Sequence, residues 1–592
     1  MGRQWQYSRI LAGAIALGSA TMLYPAPTKA QQSLYLSYPP REHQTSAAQI
    51  FLIGTAPPEG EVLVNGEAIQ RSPAGHFAPS FPLKMGENRF TLRYNERTLE
   101  VKVTRSRDLA EIPTGINFGK DSLTPSRDIA RLPGEPICLS AIAPPNATVS
   151  VQLGNQTLPL LPQNALVQLP PNSAVLNAQN QPTLTSARQY QGCTTGTNAS
   201  NLGKPTFNLE LNGRRISQKA PGAIALLSPT QLDVIEVTAA AGVARTGPST
   251  NYSRLTPLPK GTQAAVTGRE GEWLRLDYGG WIKASETQTI PNGVPPQSTI
   301  RSVLSRSGEE ATEVVFPLTV PVPISVQQSD DTFTLTLYNT TAQTDTIWLD
   351  DDPLIQRLDW QQVEPGRIEY TFHLKSAQQW GYELRYEGTS LILSLRHPPQ
   401  QSSRTAQPLQ GIKILVDPGH GGQEAGARGP NGHLEKDVNL TISKLLQREL
   451  ERRGATVYMT RETDIDVSLQ DRMAAIDRLK PAIALSVHYN ALPDGGDAEK
   501  TAGIGMFWYN AQAHSLAVFL HNYLVETLNR SSYGVFWNNL ALTRPHSAPA
   551  ILMELGFMIN PWEFEWITDP QEQEKLARAI ADGVTAWFEN TN

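Results

Sequence analysis

Cysteine is nearly absent from this chain of 592 residues. Only Cys138 and Cys193 occur, both far in sequence from the histidines considered below, which removes thiolate from the candidate metal ligands. In an oxidising compartment such a pair can form a disulfide, and closing a loop of that length contributes about 4 kcal/mol in the chain-entropy model. Two buried thiols are the other reading. Charge is scarce too: with 18% charged residues, a net charge of −6 and a pI near 6.0, nothing electrostatic recommends DNA or RNA as a partner. Long apolar runs are missing except at the start. There residues 10–23 (ILAGAIALGSATML) fall short of the ~20 residues a spanning helix needs. Arg3 and Arg9 flank the polar start and Thr28-Lys29-Ala30 follows, so residues 1–30 read as a signal peptide cleaved before Gln31, with an uncleaved anchor as the alternative. No cysteine follows the run and no paired arginines precede it, which argues against a lipoprotein anchor and the twin-arginine route.

What the chain does have is length, glycine and proline. Its size asks for about three to five domains, and 44 Gly with 45 Pro point to many turns and strands. An internal echo supports this: Ile50-Phe51-Leu52-Ile53-Gly54-Thr55-Ala56-Pro57-Pro58 returns as Ile137-Cys138-Leu139-Ser140-Ala141-Ile142-Ala143-Pro144-Pro145. Each copy continues into an alternating strand, and strand, Pro-Pro turn, strand reads as the opening hairpin of a β-sandwich. Residues 45–106 are thus expected to form one small sandwich, and residues 107–228 a second β module in which 158–192 is a long polar loop. Residues 232–289 carry Arg245-Thr246-Gly247-Pro248-Ser249, Leu258-Pro259-Lys260-Gly261-Thr262 and Gly279-Gly280-Trp281-Ile282. Short strands with Gly turns fit a small barrel, and these pieces resemble bacterial SH3-like domains. Trp273, Tyr278 and Trp281 either fill its core or line a ligand groove. Residues 299–397 alternate again and resemble the envelope-localising (AMIN) β-sandwich; 398–409 form a polar linker.

The last part, 410–592, changes character. Strand-like runs (412–416, 456–460, 483–488, 504–509, 550–555) alternate with helical ones (438–453, 469–479, 513–528, 571–588), which predicts an α/β domain with a mixed sheet flanked by helices. Asp437 is read as the cap of the first helix. The predicted fold class is therefore multidomain: N-terminal all-β modules (Ig-like sandwiches, an SH3-like barrel, a β-sandwich), then a C-terminal α/β domain.

Four motifs in this domain carry chemistry: Asp417-Pro418-Gly419-His420-Gly421-Gly422, Leu434-Glu435-Lys436-Asp437, Ser486-Val487-His488-Tyr489-Asn490 and Met553-Glu554-Leu555-Gly556-Phe557. His420 and His488 stand at or past strand ends, where groups in open α/β folds converge on one crevice. Glu435 precedes a helix start and can turn back into that crevice. Two imidazoles and a carboxylate leave a fourth position open, the pattern of catalytic zinc. Each residue alone has a plainer reading, a hydrogen-bonded loop histidine or a solvated carboxylate at a helix start. Glu554 is harder to excuse, because a carboxylate in an apolar strand is expensive unless paired or used. A buried ion pair with Arg461 or Arg472 is its structural alternative. His433, His514, His521 and His546 are left outside the site.

Taken in order, DPGHGG, EKDVNL, TRETD, LQDR, SVHYNA and ELGFMINPWE resemble the zinc-dependent N-acetylmuramoyl-L-alanine amidases over residues 411–590. That resemblance implies His420, Glu435 and His488 as zinc ligands and Glu554 as the catalytic carboxylate. It also implies Asn490 and Arg544 as substrate-lining residues, with the bulky Tyr489 reshaping the substrate edge. The substrate would be peptidoglycan, cut between N-acetylmuramic acid and L-alanine, in the periplasm or cell envelope. No long helical insertion follows 504–509, the place where self-blocked members of the family carry one, so control would fall to the upstream modules or to an envelope or divisome regulator. A zinc peptidase cutting within the stem peptide and a non-catalytic wall-binding scaffold are the competing readings.

Overall fold

The computed structural model describes residues 33–591 except 107–112, 114, 164–165, 178–179, 186–188, 350 and 401–406. The expected signal peptide and half of the 398–409 linker lie outside the described residues. From Tyr35 to Arg396 the chain is β almost throughout, because apolar residues recur with period two and Gly, Pro and Asn punctuate them.

The first unit buries Ile50, Leu52, Val62, Val64, Phe77, Leu92, Val101 and Val103 in one core. The second is built on a six-stranded sheet in which Pro136–Ile142 pairs with Gln189–Thr195, and Cys138 and Cys193, opposite each other in that ladder, are disulfide-bonded. Its strand Ile129–Arg131 pairs with Gln263–Glu270, so the second and third units share a continuous sheet. The fourth unit packs a five-stranded sheet on a four-stranded one around Phe316, Phe333, Tyr370 and Phe372.

Two expectations need correction here. The repeated strand–Pro-Pro–strand pieces are not hairpins. Ile53–Thr55 and Val62–Val64 belong to different sheets, and Pro136–Ile142 and Thr148–Leu153 are not paired with each other. The Pro-Pro turn carries the chain across instead of folding it back. Residues 158–192 are not one loop either. They hold parts of two core-sheet strands, a small ladder of Leu166–Gln168 with Thr183–Thr185, and a 3-10 turn at Asn172–Asn177. The Pro, Gln and Asn content there hid short alternations such as Leu158 and Leu160.

The C-terminal domain has a six-stranded mixed sheet in the order Thr456–Met459, Lys413–Pro418, Ile483–Asn490, Ala550–Phe557, Ile504–Trp508, Ser532–Trp537. The first four strands are parallel; Ile504–Trp508 runs antiparallel to Ala550–Phe557, and Ser532–Trp537 runs parallel to Ile504–Trp508. Helices α1 (Glu435–Arg452), α2 (Leu469–Leu479), α3 (His514–Leu528), α4 (Pro561–Thr568) and α5 (Pro570–Thr591) surround it. Strand Ser532–Trp537 and helix α4 escaped the sequence reading. The first lacks a clean alternation and the second is only eight residues long. Val438, Ile442, Leu446 and Leu450 of α1 face the same core as Leu516, Leu520 and Leu524 of α3 and Leu576, Ile580 and Val584 of α5. Asp437 is not a cap: the helix starts at Glu435, so Asp437 lies within its first turn. Among the described residues no helix is long and apolar enough to cross a membrane.

The upstream units are fastened to this domain. Phe51, Ile53 and Ala78 of the first unit share a core with Ala498, Phe557 and Ile559, and His43 Nε2 lies 2.8 Å from Asp494 Oδ2. Trp380 of the fourth unit stacks on Phe588 of α5, and Arg396 donates to the carbonyls of Lys480, Pro481 and Ser547.

Candidate active and metal site

Strand alternation decides what reaches the site. In Ile483–Asn490, Leu485, Val487 and Tyr489 enter the core under α1 and α3, while Ser486 and His488 point to the other face. In Ala550–Phe557, Ile551, Met553 and Leu555 enter that same core, leaving Glu554 opposite. The ladder register sets His488 directly beside Glu554, and Gly505 beside Glu554 on its other side. Tyr489 is therefore buried away from the substrate edge, which corrects its expected role there.

His420, Glu435 and His488 come together with one potential ligand atom each, all within 4.8 Å of one another. Glu435 sits between the rings, its Oε1 3.3 Å from His420 Nε2 and 3.2 Å from His488 Nδ1. That oxygen also accepts from Tyr489 N and Asn439 Nδ2, and Oε2 accepts from Ala427 N at 2.7 Å. Burial pushes its carboxyl up, but hydrogen bonds and charge from the two imidazoles more than offset this and hold it well below the usual range.

The backbone that delivers His420 is unusual. His420 itself is left-handed at φ 58, a conformation disfavoured for a residue with a side chain. Gly419 is required for space: a Cβ there would lie 2.2 Å from the His488 ring. Two buried arginines clamp the turn. Arg461 donates to the carbonyls of Pro418 (3.0 Å) and Gly419 (2.9 Å), and Arg472 to those of Pro418 and His420 (both 2.7 Å). Arg472 also pairs with the buried Asp417 at 2.6 Å, whose other oxygen accepts from Ser486 Oγ at 2.6 Å. Sequence reasoning missed this network, although Asp417 closing an apolar strand was a signal of the same kind as Glu554.

Neither arginine pairs with Glu554. Its Oε2 is buried without a hydrogen-bond partner among the described residues, and burial, reinforced by the charge of Glu435, raises its pKa well above the ordinary carboxylate range. Gly505 leaves room beside it: a Cβ there would stand 3.7 Å from the Glu554 Cβ and 3.1 Å from the ring of Tyr533. Tyr533, in turn, donates to the Leu176 carbonyl of the second unit's 3-10 turn, so an upstream segment reaches the neighbourhood of Glu554. Between Ile504–Trp508 and α3 lies only the turn Ala511–Ala513.

Two of the sequence-predicted residues are not members of this three-residue group. Asn490 ends its strand, and its side chain accepts from Ala491 N at 2.8 Å. Arg544 lines a separate cleft with residues of the third and fourth units. The other histidines have plain partners: His433 beside Phe564, His514 over Trp508, His521 with Ser532 and His546 against Tyr382.

Two imidazoles and one carboxylate within reach of one point suit a cation of tetrahedral preference with one position left open, and the unpaired oxygen of Glu554 stands next to them. The donor set is one that can hold a metal ion. Residues 414–586 match the family described as N-acetylmuramoyl-L-alanine amidase. A curated relative, "Probable cell wall amidase LytH" of Staphylococcus aureus, is 36% identical over 189 residues, 32% of this chain and 62% of the relative. The match thus spans under two thirds of that relative's length. Among solved structures, the N-acetylmuramoyl-L-alanine amidase from Clostridium difficile 630 is 30% identical over 31% of this chain and 98% of its own, with a TM-score of 0.29. The amidase AmiC2 of Nostoc punctiforme is 29% identical over 30% of this chain and 97% of its own, also at 0.29.

Proposed function

We propose that this chain is a peptidoglycan hydrolase that cleaves the amide between the lactyl group of N-acetylmuramic acid and L-alanine of the stem peptide. The observation that carries the reading is the His420–Glu435–His488 cluster with the unpaired Glu554 beside it, inside a segment that matches an amidase family. His420, Glu435 and His488 would hold a zinc ion, which when bound supplies a Lewis acid and lowers the pKa of water from about 15.7 to roughly 7.

The rest is done by the chain's own groups. Arg461 and Arg472 fix the turn that presents His420, and Glu435, held by the N–H groups of Ala427, Tyr489 and Asn439, lies between both rings. Glu554 takes the proton from the attacking water and returns it to the departing amine of L-alanine. A carboxyl whose proton affinity is raised by burial is suited to carry that proton both ways. Asn490, at the end of the His488 strand, lines the substrate. The upstream units would be Ig-like (45–106 and 107–228), SH3-like (232–289) and envelope-localising (299–397) modules that keep the 410–592 enzyme in the periplasm or cell envelope, where a regulator protein could reach it.

Mass spectrometry of wall sacculi digested by the full chain tests the reading. The expected products are intact stem peptides with free L-alanine amines and glycan strands stripped of peptide. Peptides shortened internally would point to a stem peptidase, and an unchanged wall to a scaffold.

A further inference from the structure

About three residues along the sheet from Glu554, at the other end of strand Ile504–Trp508, the third and fourth units and the catalytic domain enclose a cleft of about 790 Å³. Gly505 is the partner of Glu554 and Trp508 lies in the cleft, so at about 3.3 Å per residue the two are roughly 10 Å apart along the strand. Its walls come from three sequence regions: Arg254 and Tyr278 from the third unit, Tyr338 from the fourth, and Tyr509, Trp537 and Arg544 from the C-terminal domain. The enclosure is built. Val326 N donates to Thr256 Oγ1, Tyr382 N donates to the His546 carbonyl, and Gln328 Nε2 donates to Gln512 Oε1 at 2.8 Å.

The charge in this cleft is one-sided. Two guanidinium groups line it, and no aspartate or glutamate does. Arg544 is held by Asn539 alone among oxygen acceptors, through Oδ1 at 2.7 Å and the carbonyl at 3.2 Å. Burial and the neighbouring charges of Arg254 and Arg245 push its pKa down to about 10. Glu286, the acid whose charge acts on both Arg254 and Arg245, is engaged by Val243 N at 2.6 Å. The Arg254 side chain makes no hydrogen bond or ion pair among the described residues. Two half-buried like charges repel unless an anion joins them. Aromatic surface surrounds them: the Tyr509 and Trp537 rings are 5.1 Å apart, Trp537 is 62% exposed, and the buried Tyr278 hydroxyl lacks a partner.

We infer that this cleft is a second substrate subsite, which binds a carboxylate-bearing stem peptide of the wall polymer between Arg254 and Arg544 while Tyr509 and Trp537 pack against the adjoining sugar. Guanidinium forks match carboxylates in geometry and charge, and exposed indole and phenol faces suit the apolar face of a sugar ring. The inference rests on the proposed wall substrate. The three-unit construction then has a use: substrate longer than the scissile bond is gripped only when barrel, sandwich and catalytic domain are assembled.

The test uses the full chain carrying Glu554→Gln, so that substrate is not consumed, and titrates a disaccharide stem peptide by calorimetry. Arg254→Ala should weaken binding at least about tenfold, the low end for a lost charge-assisted hydrogen bond. Arg254→Lys should recover part of it, and amidating the peptide's carboxylates should weaken the parent chain's binding by a similar factor. Because the Arg254 side chain has no protein partner to lose, its truncation should leave the melting temperature in place. Equal affinity of parent and Arg254→Ala chains, or of free and amidated peptide, overturns the subsite. Competition by inorganic phosphate as effective as by the peptide also overturns it. Peptide release by the wild-type chain is read separately. Release without an Arg254 effect sinks the subsite alone, and an Arg254-dependent affinity without release sinks the amidase reading alone.

Discussion

The two ends of the paired strands Ala550–Phe557 and Ile504–Trp508 carry opposite unfinished charges. At the Glu554 end, Glu435 and Glu554 are buried carboxyls, and no lysine or arginine pairs with either among the described residues. At the Trp508 end, Arg254 and Arg544 face one cleft with no acid. Elsewhere in the same domain Asp417 has Arg472, Ser486 and Thr460, and Arg453 has Glu449 and Asp582, while Glu499 Oε1 and Arg530 Nη1 are also buried without a partner among the described residues. Incomplete charge is expensive in a low-dielectric interior. On the proposed reading the fold tolerates it here for a ligand: a cation at the Glu554 end and an anion at the Trp508 end.

The sharpest way to break the comparison is to remove the cation. Exhaustive chelation should abolish stem-peptide release and zinc should restore it; release untouched by chelation would mean that the acidic end needs no metal. Next in size is the completed pair. Arg472→Ala leaves Asp417 uncompensated and frees the His420 turn, so the catalytic domain should lose about 3–5 kcal/mol in denaturant unfolding. The upstream units offer a control remote from both ends. Replacing Cys138 and Cys193 by serine should destabilise the second unit by up to about 4 kcal/mol, read as an earlier unfolding transition while metal binding persists.

The smallest effect is a pH dependence. Burial holds the proton affinities of His76 and His546 below the ordinary imidazole value, with nearby acids (Glu565 for His76, Asp477 and Glu383 for His546) opposing the shift. Their folded pKa values are depressed, so the unfolded chain binds more protons. Stability from this source is present above the ordinary imidazole pKa of about 6.5 and is lost as pH falls below it. His76 meets Phe564 across the first unit's contact with the catalytic domain, at 5.0 Å between rings. The melting temperature should therefore fall between about pH 7 and 5, and His76→Gln should flatten that slope.

The site was legible in the sequence to the extent that one residue type at a strand end allows few uses. His420, His488 and Glu554 each sit where alternation or a strand terminus aims them, and Glu435 starts a helix that faces them. The same alternation should have excluded Tyr489 from the substrate edge, since its neighbour His488 already pointed there. Arg461 and Arg472 were read as ion-pair candidates for Glu554, but carbonyl oxygens of the His420 turn occupy them. Carbonyl acceptors leave no trace in residue identity. The surroundings of Arg544 were not legible for a different reason. Its surroundings depend on Arg254 and Tyr338, brought in by units whose mutual docking no local pattern encodes. The sandwich hairpins failed likewise, because a Pro-Pro turn looks the same whether the chain returns in its own sheet or crosses to another.

The central claim, that Glu554 moves protons next to a cation held by His420, Glu435 and His488, is met most directly by the Glu554→Gln chain. Metal content and stem-peptide release should be measured on one sample. The account predicts bound zinc at the wild-type level and release slowed by about 10²–10⁴-fold; release near the wild-type rate from a zinc-loaded Glu554→Gln chain would contradict it.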